Sequence, residues 1–490
     1  MKGLSLLASA SMAFAAKELS FSKQEYSSGA VHESIMETKH ASWDRQRAAG
    51  EMESSQYPSL EAAFVKCEGG LATVVPGDAN QTFKCNNIDL YDFKSHADLG
   101  SFGGEGSSSW GWTSDDGREF VAVGQQDGTA FAEISPEGKL IYLGRLPQQS
   151  VWSIWREIRS YKNYMIIGSE AVGHGIQIFD MTKLLTLDPA NPKNFSTTTD
   201  LTGLFTELPV GRTHNVVINE ELGYAVSVGA APRNSSCAAG LIFIDLTDPS
   251  NPTTPGCAGQ DGYVHDAHCL VYHGPDTRYE GRDICYGYNE DTLTIYDVTD
   301  KVGINSTTII STLSYEGARY THQGWTIDTN WQSHLLIDDE LDEEYMTGPA
   351  ADRFPVTYII DISNLEAPVQ TGYYKSKAYS IDHNQYVWGN LGLSYQSNYG
   401  AGLRVLDISS IPSDPTGGSI EEVAFFDIYP EDDELPNGGL IDFVGTWSHY
   451  ADFASGYVLI NTIERGAFIV KMSQFEKRAR GAHYKKPRNV

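Results

Sequence analysis

The chain has 490 residues, 41% of them hydrophobic and 11% aromatic, which is ample for a large core and excludes a disordered polyelectrolyte. Its formal charge of −29 argues against nucleic acid as a partner, because phosphate backbones are held by clustered Lys and Arg. The one basic run, Lys477 to Asn489, sits in the C-terminal tail and reads as a solvated segment.

In chain order, residues 1–16 carry Lys2, a short apolar run and small residues around Ala13 and Ala15, the plan of a secretory signal. That run is too short for a bilayer, and no later stretch offers about 20 apolar residues, so no membrane span is expected. Residues 17–86 form a polar leader ending in a Cys67–Cys85 loop. The leader is expected to be partly helical around "SLEAAFVKC" and to pack on the outside of the following body. Residues 87–472 hold a repeat, and 473–490 are the basic tail.

The six cysteines fall into local pairs, Cys67 with Cys85, Cys237 with Cys257 and Cys269 with Cys285, which suits disulfides in an oxidising compartment. None has the C-x-x-C spacing of a zinc knuckle. Four glycosylation sequons, at Asn80, Asn194, Asn234 and Asn305, agree with a secreted, extracellular glycoprotein.

The repeat is a glycine, an apolar run and then an acid. It reads "GTAFAE" (Gly128, Glu133), "GIQIFD" (Gly175, Asp180), "GLIFID" (Gly240, Asp245), "GLRVLD" (Gly402, Asp407) and "GAFIVK" (Gly466, Lys471). Two copies lack the glycine, "TLTIYD" ending at Asp297 and "VTYIID" ending at Asp361. Two strand-like segments precede each copy and a fourth usually follows. Seven four-stranded units predict an all-β, seven-bladed β-propeller rather than a sandwich. The last copy lacks a fourth strand, and Asn87 to Phe93 is an unassigned strand before the first. The N-terminal segment is therefore expected to close the ring as the outer strand of the last blade.

Aligned by this frame, the first strands begin at Ser109, Trp155, His214, His268, His322, His383 and His449, five histidines in seven positions. First strands line the channel of a propeller, so these side chains are expected to gather at one mouth. The second strands end there on acids, among them Glu170, Glu290, Asp338, Asp339, Glu340 and Glu464. Asp266 shares a strand face with His268, whereas His265 should point the other way. Imidazole is the commonest transition-metal ligand, and His214, His268, His322, His383 and His449 with Asp266 and Asp339 are the candidate ligands for zinc, manganese or iron. A calcium site at "DDELDEE", Asp338 to Glu344, is a further candidate. Taken singly, each histidine also suits a hydrogen bond to the next blade's backbone, or general-base work. No nucleophile elbow, P-loop or dinucleotide fingerprint is present, so no nucleotide cofactor is expected. Trp110, Trp112, Trp152, Trp155, Trp325, Trp388 and Trp447 lie on or near first strands, where some could stack on sugar rings.

The segments "YVHDAHCLVYHGPDTRYEGRDICY", "NEDTLTIYDVTD", "YTHQGW", "DDELDE", "IDHNQYVWGN" and "AGLRVLDIS" resemble those of the LVIVD-repeat secreted proteins of the choice-of-anchor B family, over about Cys67 to Met472. The resemblance implies an exported seven-bladed propeller and carries no settled activity. The leader before Cys67 departs from the family, as does a tail with no hydrophobic anchor. The leading expectation is a monomeric extracellular binding or scaffold protein whose pocket holds a metal or small polar ligand. The alternative is a metal-dependent lyase or hydrolase acting on polysaccharide, with His214, His268, His322 and His383 as ligands or base.

Overall fold

In a computed structural model of the chain, residues 21–60, 62–388 and 392–473 are described; the signal segment 1–16 and residues 474–490 of the tail lie outside them. The glycine-to-acid frame marks the third strand of every sheet, for example Leu241–Asp245 and Leu403–Asp407. The terminal acid has a local use. In five copies, Asp180, Asp245, Asp297, Asp361 and Asp407 each accept a hydrogen bond from the backbone N–H two residues on, at 2.7–3.2 Å. This side-chain turn stops the strand. The glycine has one too. A Cβ at Gly402 would lie 2.2 Å from the Phe426 carbonyl oxygen, and one at Gly240 would lie 2.1 Å from that of Ala258. Only glycine lets the fourth strand approach so closely.

The described strands form seven sheets, and the inner strand of each touches the inner strands of both neighbours. In ring order the inner strands are Gly106–Thr113, Arg156–Tyr161, Asn215–Asn219, Asp266–Val271, Thr321–Thr326, Asn384–Val387 and Thr446–Tyr450. This is the seven-bladed propeller that the repeat implies. Apolar side chains of the middle strands pack between adjacent sheets; Phe131 and Phe179, from the first and second blades, stack at 4.5 Å. The ring closes as expected: Ile88–Ser95 pairs antiparallel with Gly466–Met472, from Ile88 opposite Met472 to Ser95 opposite Gly466.

The leader divides into two parts. Its disulfide loop does pack outside, where Thr82–Asn86 and Leu71–Thr73 extend the sixth blade by two strands. All three expected disulfides, Cys67–Cys85, Cys237–Cys257 and Cys269–Cys285, form. The helix, however, is not at residues 59–67 and does not lie outside the ring. It spans Ala30–Ala49, bracketed by Gly29 and Gly50 in left-handed conformation, and it lies across one mouth of the channel. Val31, Ile35, Lys39, Ser42, Trp43 and Gln46 recur at helical spacing and form its buried face. Val31, Ile35 and Trp43 pack on Trp155, Tyr320, Leu341, Ile381, Tyr399 and Trp447, contributed by loops and strand ends of several blades. Trp43 is fully buried and donates from Nε1 to the Phe443 carbonyl at 2.8 Å.

Three outcomes follow. Leu90, 1% exposed on the closing strand, should cost about 4 kcal/mol when changed to Asp, through an unpaired buried charge, and light scattering should show self-association at the freed edge. Leu71→Asp, at an exposed site on the outermost strand, should change the denaturation midpoint by no more than about 0.5 kcal/mol. Trp43→Ala should cost about 3–5 kcal/mol and accelerate amide exchange across residues 30–49 before the blades lose protection.

Candidate functional site

In six of the seven blades a residue at the start of the inner strand faces the channel axis beneath the capping helix. Trp155, His214, His265 and His383 immediately precede their strands. His322 and Trp447 are each the extra residue of a bulge, between Thr321 and Gln323 and between Thr446 and Ser448. A bulge re-aims one side chain without breaking the sheet. These six residues line an internal cavity of about 10 Å³, the space of one water-sized sphere.

Four imidazoles from consecutive blades stand side by side. Ring centroids are 4.2 Å apart for His214 and His265, 4.3 Å for His265 and His322, and 4.6 Å for His322 and His383. The Nδ1 atoms of three of them meet oxygens, whereas Nδ1 of His322 has no hydrogen-bond partner. Nδ1 of His383 lies 2.7 Å from the Trp447 carbonyl oxygen, and Nδ1 of His265 lies 2.9 Å from that of His322. A carbonyl only accepts, so both Nδ1 atoms carry the proton and both Nε2 atoms keep a lone pair. Nδ1 of His214 lies 2.5 Å from Oε1 of Glu170, a carboxylate oxygen that likewise only accepts. Pinning one ring nitrogen to oxygen is how proteins orient metal-ligating histidines. Burial holds His265 and His322 well below the usual imidazole range and His383 at about 4, so these rings are neutral at physiological pH.

Glu340 completes the cluster. Its carboxylate lies 3.8 Å from Nε2 of His322 and 3.7 Å from Nε2 of His383, and it is fully buried. Oε1 accepts from Lys39 Nζ at 2.7 Å and from the Tyr399 hydroxyl, while Oε2 has no partner. Burial alone would raise its pKa, but the Lys39 ammonium and the two imidazoles hold it at about 2. The Lys39 ammonium also sits over the Phe443 and Trp447 rings, at 5.0 and 5.8 Å. The helix thus inserts a buried cation beside the histidines. It also brings His32, whose Nδ1 lies 2.6 Å from the Tyr320 hydroxyl and whose ring meets that of His214 at 6.3 Å.

Of the residues singled out from sequence, the structure brings His214, His322 and His383 together and leaves four elsewhere. His268 stacks on Trp325 at 3.8 Å, and His265 takes the axial place instead of pointing away. The pattern was present in the sequence: the axial histidines are each followed by Asn, Gln or Asp, as in His214-Asn215, His322-Gln323, His383-Asn384 and His265-Asp266, whereas Cys269 follows His268. His449 lies two residues beyond Trp447, about 7 Å further along the strand, and bonds Ser397 Oγ at 2.8 Å. Asp266 bonds the Ala267 N–H and faces Arg159. Asp339 is consumed locally, accepting from the N–H groups of Arg319, Tyr320 and Leu341 and from the Tyr315 hydroxyl. Lys39 and His32, on a helix placed elsewhere by the sequence reading, were not foreseen.

Among the described residues, surface grooves lie near these elements. One of about 950 Å³ runs along the helix and is lined by His32, Glu37, His40, Arg212 and Arg233. Another, about 440 Å³, gathers Trp110, Trp325, Trp388, Tyr450 and His268, while Trp155 and Trp447 border the histidine cluster.

No protein-family model matches the sequence, and no curated protein does. Among solved structures, the Myceliophteria thermophila Cps50 (Swd1) β-propeller domain is similar, with a TM-score of 0.44 and 10% identity over 75% of this chain and 97% of that one.

Proposed function

We propose that the chain is a secreted, glycosylated propeller of LVIVD-repeat type that binds a divalent transition-metal ion, best matched by zinc, in its axial histidine cluster. The observation that carries the reading is the donor set itself. A ring nitrogen of His322, a ring nitrogen of His383 and a Glu340 oxygen all lie within 4.8 Å of one another. Ligands about 2.1 Å from one tetrahedral ion stand about 3.4 Å apart; His322 Nε2 lies 3.8 Å from Glu340 Oε2, and His383 Nε2 lies 3.7 Å from the other oxygen, Oε1. Neutral rings, a lone pair on His383 Nε2 fixed by the Trp447 carbonyl, and an unpartnered Glu340 Oε2 are what such an ion requires. Manganese and iron fit the same nitrogen and oxygen donors less selectively.

Binding or scaffolding is favoured over turnover of a polysaccharide. The cavity admits a single small particle, and the Trp43 and Lys39 side chains roof it, so a sugar ring does not reach the histidines. An extracellular polar ligand or saccharide would instead meet the open grooves, and the tryptophans of the 440 Å³ groove offer faces for sugar stacking. Export is supported by the three disulfides and by the exposure of Asn80, Asn194, Asn234 and Asn305. Among the described residues, no helix is long and apolar enough to cross a membrane.

Elemental analysis of protein dialysed against zinc should find about one ion per chain. The double variant His322→Ala/His383→Ala should lose it, while His268→Ala and His449→Ala should retain it. Equal zinc in the double variant would overturn the assignment. Chelator-sensitive cleavage of acidic or neutral polysaccharide by the intact chain would overturn the preference for binding.

A further inference from the structure

The channel has a second mouth, opposite the capping helix. The 440 Å³ groove is lined from the far halves of the inner strands: Trp325 stands three positions beyond His322 and Trp388 five beyond His383. That spacing sets the groove about 10 Å or more along the axis from the histidines. All seven blades contribute to its wall. Its volume falls in the range that takes a small organic ligand.

The wall is aromatic. Ring centroids are 5.3 Å apart for Trp110 and Trp388, 5.1 Å for Trp110 and Tyr450, and 5.1 Å for Trp388 and Tyr450. Aromatic faces carry the negative part of the ring quadrupole and attract cations. One cation is already held that way: the Arg159 guanidinium lies over Trp110 at 4.2 Å and over Tyr386 at 5.2 Å.

The charge at this mouth is one-sided. Arg159 is the one Lys or Arg lining it among the described residues, and its ion pair with Glu157 cancels its charge. His273 pairs with Glu280 at 2.8 Å. Glu220, Glu221 and Asp452 also line the groove; they are exposed, and their carboxylates form no ion pair or hydrogen bond among the described residues. The wall includes His268, 3% exposed and kept neutral by burial and by Arg159, which hold its pKa at about 3. It stacks on Trp325, yet neither ring nitrogen makes a hydrogen bond, and Nδ1 is enclosed without a partner. A neutral imidazole keeps one lone pair, and an N–H of a ligand would satisfy it.

We infer that this open mouth binds a small organic ligand through a protonated primary amine. The aromatic faces and the three carboxylates attract its charge, and His268 accepts one of its N–H groups. Such binding rests on the reading that extracellular ligands meet the open grooves, and it narrows their class to cationic ones. Acidic saccharides are repelled by the same carboxylates. An amino sugar and a plain alkylamine share the required chemistry.

The intact chain is titrated in low-salt, near-neutral buffer with glucosamine, N-acetylglucosamine, glucuronate and n-butylammonium, followed by tryptophan fluorescence and calorimetry. Saturable binding of glucosamine is expected, about tenfold or more tighter than of N-acetylglucosamine or glucuronate, and weakening as salt screens the carboxylates. Equal binding of n-butylammonium assigns the mouth to the bare ammonium, and binding of glucosamine alone assigns it to an amino sugar. Glu220→Gln/Glu221→Gln/Asp452→Asn should weaken glucosamine about tenfold at unchanged Tm. His268→Leu should weaken it without altering the salt dependence, because no charge is removed. Should His268→Leu fail to fold, the triple variant decides, since its three substitutions are all exposed. Failure of both amines to bind, or undiminished binding by the triple variant, removes the site. N-acetylglucosamine bound as tightly as glucosamine removes the ammonium assignment and leaves the saccharide reading standing.

Discussion

Ring closure is the constraint on which the rest depends. A row of twisted sheets leaves two open edges unless its ends meet, and here they meet through the pairing of Ile88–Ser95 with Gly466–Met472. Once the wheel is shut, the inner strands bring residues from separate blades to a common axis. His214, His265, His322 and His383 are separated by 51 to 61 residues along the chain, yet neighbouring rings stand less than 5 Å apart. No local interaction produces that proximity; the circular topology does.

The architecture was readable because its signals are backbone requirements. Glycine where the fourth strand comes close, and aspartate where a turn must begin, recur at the same offset and survive divergence of the apolar residues between them. The site was less readable, for reasons of register. The fourth blade offers two histidines three positions apart, and one choice puts a ring on the axis while the other stacks it on Trp325. A strand alternates faces at each residue, so a small alignment error relocates a side chain completely. The seventh blade shows the milder form: a two-residue offset preserves the face but moves His449 along the channel, leaving Trp447 at the cluster.

The capping helix was hidden for a different reason. Its buried face includes Lys39, Ser42 and Gln46, so the contrast between wet and dry sides is weak in the sequence. What makes those polar residues tolerable inside is the mouth they cover, which supplies Glu340 for Lys39 and the Phe443 carbonyl for Trp43. Helix and channel mouth are thus complementary in charge. In a chain of −29, buried acids occur in several blades, among them Asp127, Glu157, Asp266, Glu340, Asp427 and Glu464, and each carries a desolvation cost that its surroundings must offset.

The placement of the cap and the closing strand also governs how the protein is made. Trp43 finds its carbonyl partner 400 residues later, and Ile88 finds Met472 after nearly the whole body has been synthesised. These segments are therefore made long before the residues that satisfy them. Such long loops close slowly and leave apolar surface uncovered in the meantime. A nascent chain of this kind has its lid and latch already built and nothing yet to fasten them to, which leaves both exposed until the last blade is made.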